Sequence, residues 1–123
     1  MRLRARLLAG VLALSSAVAG ASEAAAGSAF VERFRAAAAA PGGAALGELA
    51  ALPFLYEGRR LGREAFVREA VPALFTPSVR RCLQRAPAQA EGDRLVVWCK
   101  PYGFHLGPTG SGWRLIEFVA DVD

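Results

Sequence analysis

The sequence predicts an α+β domain in which N-terminal helices pack on a C-terminal antiparallel sheet. In the first part of the chain, apolar residues recur at the spacing of helix faces. Near the C-terminus, apolar and polar residues alternate with a period of two on either side of a glycine-rich stretch, as they do in β-hairpins. Helices that precede an antiparallel sheet in this way are typical of α+β domains.

Residues 1–21 have the three parts of a secretory signal peptide. Three arginines precede an apolar run of about 14 residues, and Ala19-Gly20-Ala21 supplies the small residues of a cleavage site. A membrane-spanning helix needs about 20 apolar residues, and no cysteine follows the run to carry a lipid, so we expect no stable membrane anchor. The sequence therefore predicts an exported protein, periplasmic or secreted, that starts near Ser22 after cleavage.

Removal of residues 1–21 changes the charge from which a partner is inferred. The whole chain has 15 basic and 11 acidic residues, for a net charge of +4, but Arg2, Arg4 and Arg6 lie in the predicted signal peptide. The remaining 102 residues carry a net charge of +1 and form one small domain. Because this part lacks the basic stripe of a nucleic-acid-binding domain, the sequence predicts no nucleic-acid partner.

The single α+β domain is predicted to span residues 28–123. Helix starts are marked by capping residues such as Ser28 and Thr76, and helix ends by proline or glycine. Pro72 is expected to bend or break the helix in which it lies, and Pro101 to mark a bulge or an edge position. The predicted elements are a flexible N-terminus at 22–27, helices at 28–40, 44–51, 62–75 and 77–85, a short strand at 54–57, closing strands at 95–99, 102–106 and 113–119, and a hairpin loop at 107–112.

The segment that contains Cys82 has two alternative structures. Thr76-Pro77 is typical of a helix start, since proline fits the first helical position. In the other structure, Cys82 lies on a strand and faces Cys99 across a hairpin that turns near residues 91–93.

Cys82 and Cys99 are the two cysteines of the chain, and in an oxidising compartment they predict a disulfide bond. It would close a loop of about 17 residues, which is worth about 3 kcal/mol in the chain-entropy model. The spacing is not that of a redox-active C-x-x-C pair. His105 is the only histidine, so two thiols and one imidazole predict no metal site, and no motif indicates a cofactor.

The order of the elements resembles the nuclear transport factor 2-like superfamily. The resemblance implies a cone of helices held in a curved sheet, with a pocket between them, and members include both enzymes and non-enzymatic binding domains. Members often pair through the open face of the sheet, so a homodimer is one expectation. The segments that carry the resemblance are FVERF at residues 30–34, LPFLYEG at 52–58, the helix at 66–75 and GWRLIEF at 112–118.

The last hairpin supplies the candidate catalytic residues, Glu117 and Tyr102. If its arms are equal around the loop at 107–112, Tyr102 faces Glu117 at the end of an apolar row on one face of the sheet. A buried carboxylate has a raised pKa and can act as a general acid or base, and a phenol can donate to a substrate oxygen. The structural alternative is a solvent-exposed Glu117. The full predicted pairing places Leu106 opposite Trp113, Phe104 opposite Leu115, Tyr102 opposite Glu117 and, on the other face, His105 opposite Arg114.

Four residues are candidates for binding a ligand. Phe104 and Trp113 belong to the same apolar row, while Tyr56 and Glu57 occupy opposite faces of the short strand, one of them towards the helices. The arginines at positions 59, 60 and 63 have two interpretations. Arg59, Arg60 and Arg63 either hold an anionic ligand or form a solvated loop in which they pair with Glu57 and Glu64. His105 is expected to be a surface or packing residue.

These observations lead to three hypotheses of function. The first is an exported binding or structural domain with an apolar small-molecule pocket between sheet and helices. The second is a lyase, isomerase or hydrolase that uses a buried carboxylate. The third is a protein-interaction module that acts through the sheet face. A deep pocket with an ionisable side chain would favour the enzyme, and a filled core with an exposed apolar sheet face would favour the interaction module.

Overall fold

The computed structural model describes residues 2–120, with side chains for residue 20 and residues 22–120. The predicted α+β class is confirmed, since helices precede a four-stranded antiparallel sheet of order β3-β4-β5-β6. A separate two-stranded hairpin, β1-β2, lies between the helices in sequence. The elements are α1 Arg2–Ala39, α2 Ala44–Leu49, β1 Phe54–Tyr56, β2 Arg59–Leu61, α3 Arg63–Ala65, α4 Val71–Leu74, α5 Pro77–Leu83, β3 Ala88–Glu91, β4 Arg94–Cys99, β5 Tyr102–Thr109 and β6 Gly112–Ala120.

Helix α1 is longer than the sequence predicts. Ser28 lies inside it, so the prediction that Ser28 caps a helix start is wrong. Residues 22–27, expected to be flexible, are also helical. Alanine has the highest helix propensity, and the chain has no proline before Pro41. No proline therefore prevents α1 from beginning on the N-terminal side of Ser28.

The helical segment at residues 63–74 contains a π-helical turn, Phe66–Ala70, between α3 and α4. The amide of Val71 donates to the carbonyl of Phe66, one residue further back than in an α-helix. Pro72 follows at once. Its ring crowds the carbonyl four residues before it and it has no N–H to donate, so the predicted distortion at Pro72 is confirmed and takes the form of a widened turn.

Helix α5 settles the two alternatives for Cys82 in favour of a helix. The hydroxyl of Thr76 accepts a hydrogen bond from the amide of Val79 at 3.3 Å, and Pro77 occupies the first turn. The predicted disulfide is present and joins Cys82 on α5 to Cys99 at the end of β4, with a Cα–Cα distance of 5.8 Å. It fixes a helix to the sheet.

The sequence did not predict strands β2 and β3. Both are short, and their residues, Arg-Arg-Leu and Ala-Gln-Ala-Glu, are poor strand formers that depend on pairing with β1 and β4. Pro101 lies in the turn between β4 and β5, and the peptide bond before it is cis. The prediction that Pro101 marks a bulge or an edge position of a strand is therefore wrong.

The core lies between the helices and the inner face of the sheet, on which Tyr102, Phe104 and Leu106 alternate with outward-facing residues of β5. Its largest side chains are aromatic rings without solvent exposure. They are contributed by α1, β1, the π turn and β5, namely Phe30, Phe34, Phe54, Phe66 and Phe104.

Arg80 fastens the end of α1 to α5. Its guanidinium group donates to the carbonyls of Ala38, Ala40 and Gly42 at 2.9–3.0 Å, and to that of Phe75 at 2.9 Å. The last carbonyls of a helix have no partner within the helix, so one side chain satisfies groups that would otherwise need water.

We expect Arg80→Met to lower the free energy of unfolding by about 2–3 kcal/mol, because several charge-assisted hydrogen bonds are lost while the apolar stem is kept. Urea denaturation measures the change. Arg81→Met is the matched control, since Arg81 is exposed on the same helix and carries the same charge, and it should change stability by less than about 0.5 kcal/mol. Equal effects of the two variants would contradict the role of Arg80.

We expect the double variant Cys82→Ala/Cys99→Ala to unfold with a free energy lower by about 3 kcal/mol, because the unfolded chain regains the freedom of the closed loop. Denaturation of the oxidised protein, of the protein in reductant and of the variant gives the comparison. The reduced protein should match the variant. Thiol titration of the oxidised protein should detect no free cysteine, and two titratable thiols would show that the bond is not formed.

Candidate functional site

The hairpin β5-β6 has a shorter loop than predicted and a bulge. Thr109 pairs with Gly112, so the turn consists of Gly110 and Ser111 alone. Beyond it, the register shifts by one residue between Leu106 and His105, which leaves Ile116 as an extra residue of β6. All four predicted cross-strand pairs are therefore wrong, and the observed pairs are Leu106–Leu115, Phe104–Phe118, Tyr102–Ala120, His105–Glu117, Pro108–Trp113 and Gly107–Arg114.

Glu117 does not meet Tyr102. Because it pairs with His105, it lies on the outer face of the sheet, whereas Tyr102 lies on the inner face. Its carboxylate accepts a hydrogen bond from the guanidinium group of Arg94 at 2.7 Å, and 44% of the side chain is exposed. A catalytic role for Glu117 or Tyr102 stays a prediction, without the shared buried site that it requires.

Tyr102 and Tyr56 lie at the same end of the inner face. Both rings contact Phe118, with centroid distances of 5.7 Å for Tyr102 and 6.0 Å for Tyr56. Burial raises the pKa of Tyr56 above its usual value, and the nearby Glu57 and Tyr102 raise it further. Tyr56 is therefore a neutral hydrogen-bond donor at physiological pH. Glu57 is exposed in the β1-β2 turn, in the left-handed region with a φ of 48°, and does not point into the interior.

His105 lies on the outer face, between Val96 on β4 and Glu117 on β6. Its Nδ1 atom is buried without a hydrogen-bond partner among the described residues. Val96 beside it has no solvent exposure although it faces away from the helices. Neighbouring side chains on the outer face therefore shield Val96 and the Nδ1 atom of His105 from solvent.

Phe104 occupies the centre of the core and not the wall of a pocket. It has no solvent exposure, and its ring contacts Phe75 at 5.0 Å and Phe34 at 5.9 Å. Aromatic rings therefore fill the space between the helices and the middle of the sheet, where the resemblance implies a pocket.

Trp113, the fourth ligand-binding candidate, lines a cleft at one end of the sheet, which we call the Trp113 cleft. It opens between α1 and the turn-proximal ends of the strands and has a volume of about 620 Å³, within the range of small-molecule sites. Its floor is apolar. The lining residues are Glu23, Ala24, Gly27 and Ser28 from α1, Ala90, Gly92, Asp93, Arg94 and Leu95 from the β3-β4 hairpin, and Pro108 and Trp113 from the last hairpin.

Gly27 brings α1 against the wall of this cleft. A β-carbon at this position would lie 3.0 Å from Cη2 and Cζ2 of Trp113 and 3.3 Å from Cδ1 of Leu95. A β-carbon here would require the indole or the helix to move by a few tenths of an ångström, so the absence of a side chain at residue 27 allows the helix backbone to lie close to the indole. Gly27 was not among the residues that the sequence predicted for a site, although a glycine three residues before Phe30 on the buried helix face was a signal of close approach.

Two carboxylates, those of Glu23 and Asp93, line the Trp113 cleft. Neither forms an ion pair with any other described residue. Arg94 also lines the cleft, but its guanidinium group is bound to Glu117. The charge that is left uncompensated at the cleft is therefore negative.

The predicted arginine cluster is largely neutralised. Arg59 donates to Glu69 at 2.5 Å, and Arg63 donates to Glu48 at 2.9 Å, so the partners are not the predicted Glu57 and Glu64. The hydrogen bond from Arg59 lowers the pKa of Glu69 below its usual value. Arg63 and Glu48 line a second, more open depression of about 520 Å³ beside α2, which has no aromatic wall.

Trp98 is the aromatic side chain of the outer face and is 40% exposed. A β-carbon on Gly103 would lie 2.5–2.9 Å from atoms of its six-membered ring, so the indole lies directly on the backbone of the neighbouring strand. Leu55 in the middle of β1 is the other large apolar side chain that is exposed in the described part of the chain.

No family model, curated protein or solved structure matches the chain. In the part of the chain whose side chains the structure describes, residue 20 and residues 22–120, no helix is both long and apolar enough to span a lipid bilayer. The described side chains also include no group of three or more histidine, cysteine, aspartate or glutamate residues placed to hold a metal ion. The candidate sites are the two surfaces that contain Trp113 and Trp98.

Proposed function

We propose that this protein is an exported binding domain that holds a small apolar ligand in the Trp113 cleft. The observation that carries the proposal is an accessible indole in the wall of a cleft between a helix and the sheet. Burial of apolar surface contributes about 25 cal/mol for each Å², and an aromatic face adds stacking with planar ligands. The cleft has secondary structure on both sides, with α1 on one side and the strands of the sheet on the other.

Export is part of the proposal. Two features support it, namely the signal-peptide pattern at residues 1–21 and the disulfide between Cys82 and Cys99. Disulfides persist in oxidising compartments, so a stabilising bond in so small a domain agrees with a periplasmic or secreted location. The part of α1 that lines the cleft begins at Glu23, just after the expected cleavage site.

We also propose that the fold is of the nuclear transport factor 2-like kind. The support is the order of the elements, with two helices, a short hairpin, the helical segment at residues 63–74 and α5 before four antiparallel strands. The four segments that carry the resemblance lie in α1, in β1 and the residues on either side of it, in the helical segment at residues 66–75, and in β6.

A neutral aromatic probe, 2-naphthylmethanol, tests the proposed site. In a titration followed by NMR, we expect the indole N–H signal of Trp113 to shift in a saturable way, while that of Trp98 on the other face stays unchanged. Ala24→Leu should weaken binding at least tenfold, because the larger side chain occupies part of the cleft. The helix should be kept, since Ala24 is exposed and leucine also has a high helix propensity.

Ala25→Leu is the matched control for this experiment. Ala25 is exposed on the same helix and does not line the cleft, so the same added bulk should leave affinity unchanged. If Ala24→Leu binds the probe as tightly as the parent protein, or if the signal of Trp98 shifts in place of that of Trp113, the cleft is not the binding site.

The second candidate function is self-association through the outer face of the sheet. The observation that favours it is the exposed indole of Trp98 on a face that also carries both signs of charge in Arg94 and Glu117. In a two-fold symmetric pair, the same patch meets its own copy, so an aromatic centre with both charges can complement itself.

Sedimentation equilibrium of two variants tests self-association. The parent protein should form dimers, and Trp98→Ser should shift it to monomers because the central contact is lost. Leu55→Ser, which removes the other exposed large apolar side chain far from this face, should leave the dimer intact. A parent protein that stays monomeric at high micromolar concentration would contradict this candidate.

A further inference from the structure

We propose that the ligand of the Trp113 cleft is an organic cation, an apolar molecule with a protonated amine or a quaternary ammonium group. The inference rests on the proposed function of the cleft and names the chemical class that its charges select. Two carboxylates and one aromatic face meet at the same cleft, and this combination is complementary to a cation with an apolar body.

Glu23 and Asp93 line the cleft from different elements, Glu23 on α1 and Asp93 in the turn between β3 and β4. Five other acidic residues of the described chain are in ion pairs, namely Glu32, Glu48, Glu64, Glu69 and Glu117, whereas Glu57 and Glu91 are in none. The two at the cleft have no such partner among the described residues, so they are available to a bound ligand.

The basic residue of the cleft does not cancel this charge. Arg94 places its Nη1 atom 2.7 Å from Oε1 of Glu117, which lies outside the lining of the cleft. Its stem packs on the outer face, 3.3 Å from the position that a β-carbon of Gly107 would occupy. The charge of Arg94 is thus compensated, whereas those of Glu23 and Asp93 are not.

Trp113 adds a second reason for a cation. The face of an indole attracts a positive charge through its electron-rich ring, and tryptophan is the best aromatic residue for this interaction. In a processed chain that begins at Ser22, the new amino group lies one residue from Glu23 and offsets part of its charge. Asp93 therefore has the larger share in selecting the ligand.

A series of three ligands of equal shape tests the proposal on the purified protein. 2-Naphthylmethylamine is a cation at pH 7, 2-naphthylmethanol is neutral and 2-naphthoate is an anion. We expect the amine to bind about tenfold more tightly than the alcohol at low salt, with the anion weakest, because two partly exposed carboxylates each add a modest attraction. The preference should narrow at high salt, where exposed charges are screened.

Asp93→Asn should bring the amine to within about threefold of the alcohol, and Glu23→Gln/Asp93→Asn should abolish the preference for the amine over the alcohol. Glu91→Gln is the matched control, since Glu91 is an exposed acid two residues away that does not line the cleft. Equal affinities of the parent protein for amine and alcohol would overturn the charge preference and leave the proposed function standing. Absence of binding by all three ligands would overturn both.

Discussion

The contact of three phenylalanine rings at the centre of the domain determines where a ligand can enter. Phe34 on α1, Phe75 after α4 and Phe104 on β5 lie with their centroids 5.0–6.1 Å apart, so each part of the fold contributes one ring to the same cluster. Because the rings occupy the middle of the inner face, no ligand can be held there without displacing them. The space between α1 and the sheet that a ligand could reach therefore lies at the end of the strands, beside Trp113.

Polar and covalent links hold this cluster in place from outside. Arg80 donates hydrogen bonds to the carbonyls of Ala38 and Ala40 at the end of α1. It also donates to the carbonyl of Phe75, one of the three clustered residues. Arg35 adds two hydrogen bonds from α1 to the carbonyls of Leu83 and Ala86, around the end of α5. The bond between Cys82 and Cys99 joins the same helix to β4. Helix α5, which is seven residues long, is thus linked by hydrogen bonds to α1 and by a covalent bond to the sheet, in addition to the direct packing of α1 on the sheet.

Local signals in the sequence were enough to predict the α+β class, the distortion at Pro72 and the disulfide, because each depends on neighbouring residues or on composition. For the segment that contains Cys82, they left both a helix and a strand open. The register of the last hairpin could not be predicted in this way. A single bulged residue, Ile116, moves Glu117 to the other face of the sheet, and nothing in its own residue type indicates the bulge. Trp113 was identified as a candidate, but its cleft also needs residues 23–28 and 90–95, which come together only in the folded chain.

Gly27 limits how chains of this kind can vary. The backbone of α1 is in contact with the indole of Trp113, so any side chain at position 27 needs space that the indole now fills. A change at one of these positions therefore has to be matched at the other, with a larger residue on the helix accompanied by a smaller one at the start of β6. We expect the two positions to covary, and the chains that keep both a glycine and a tryptophan to be those that keep the cleft.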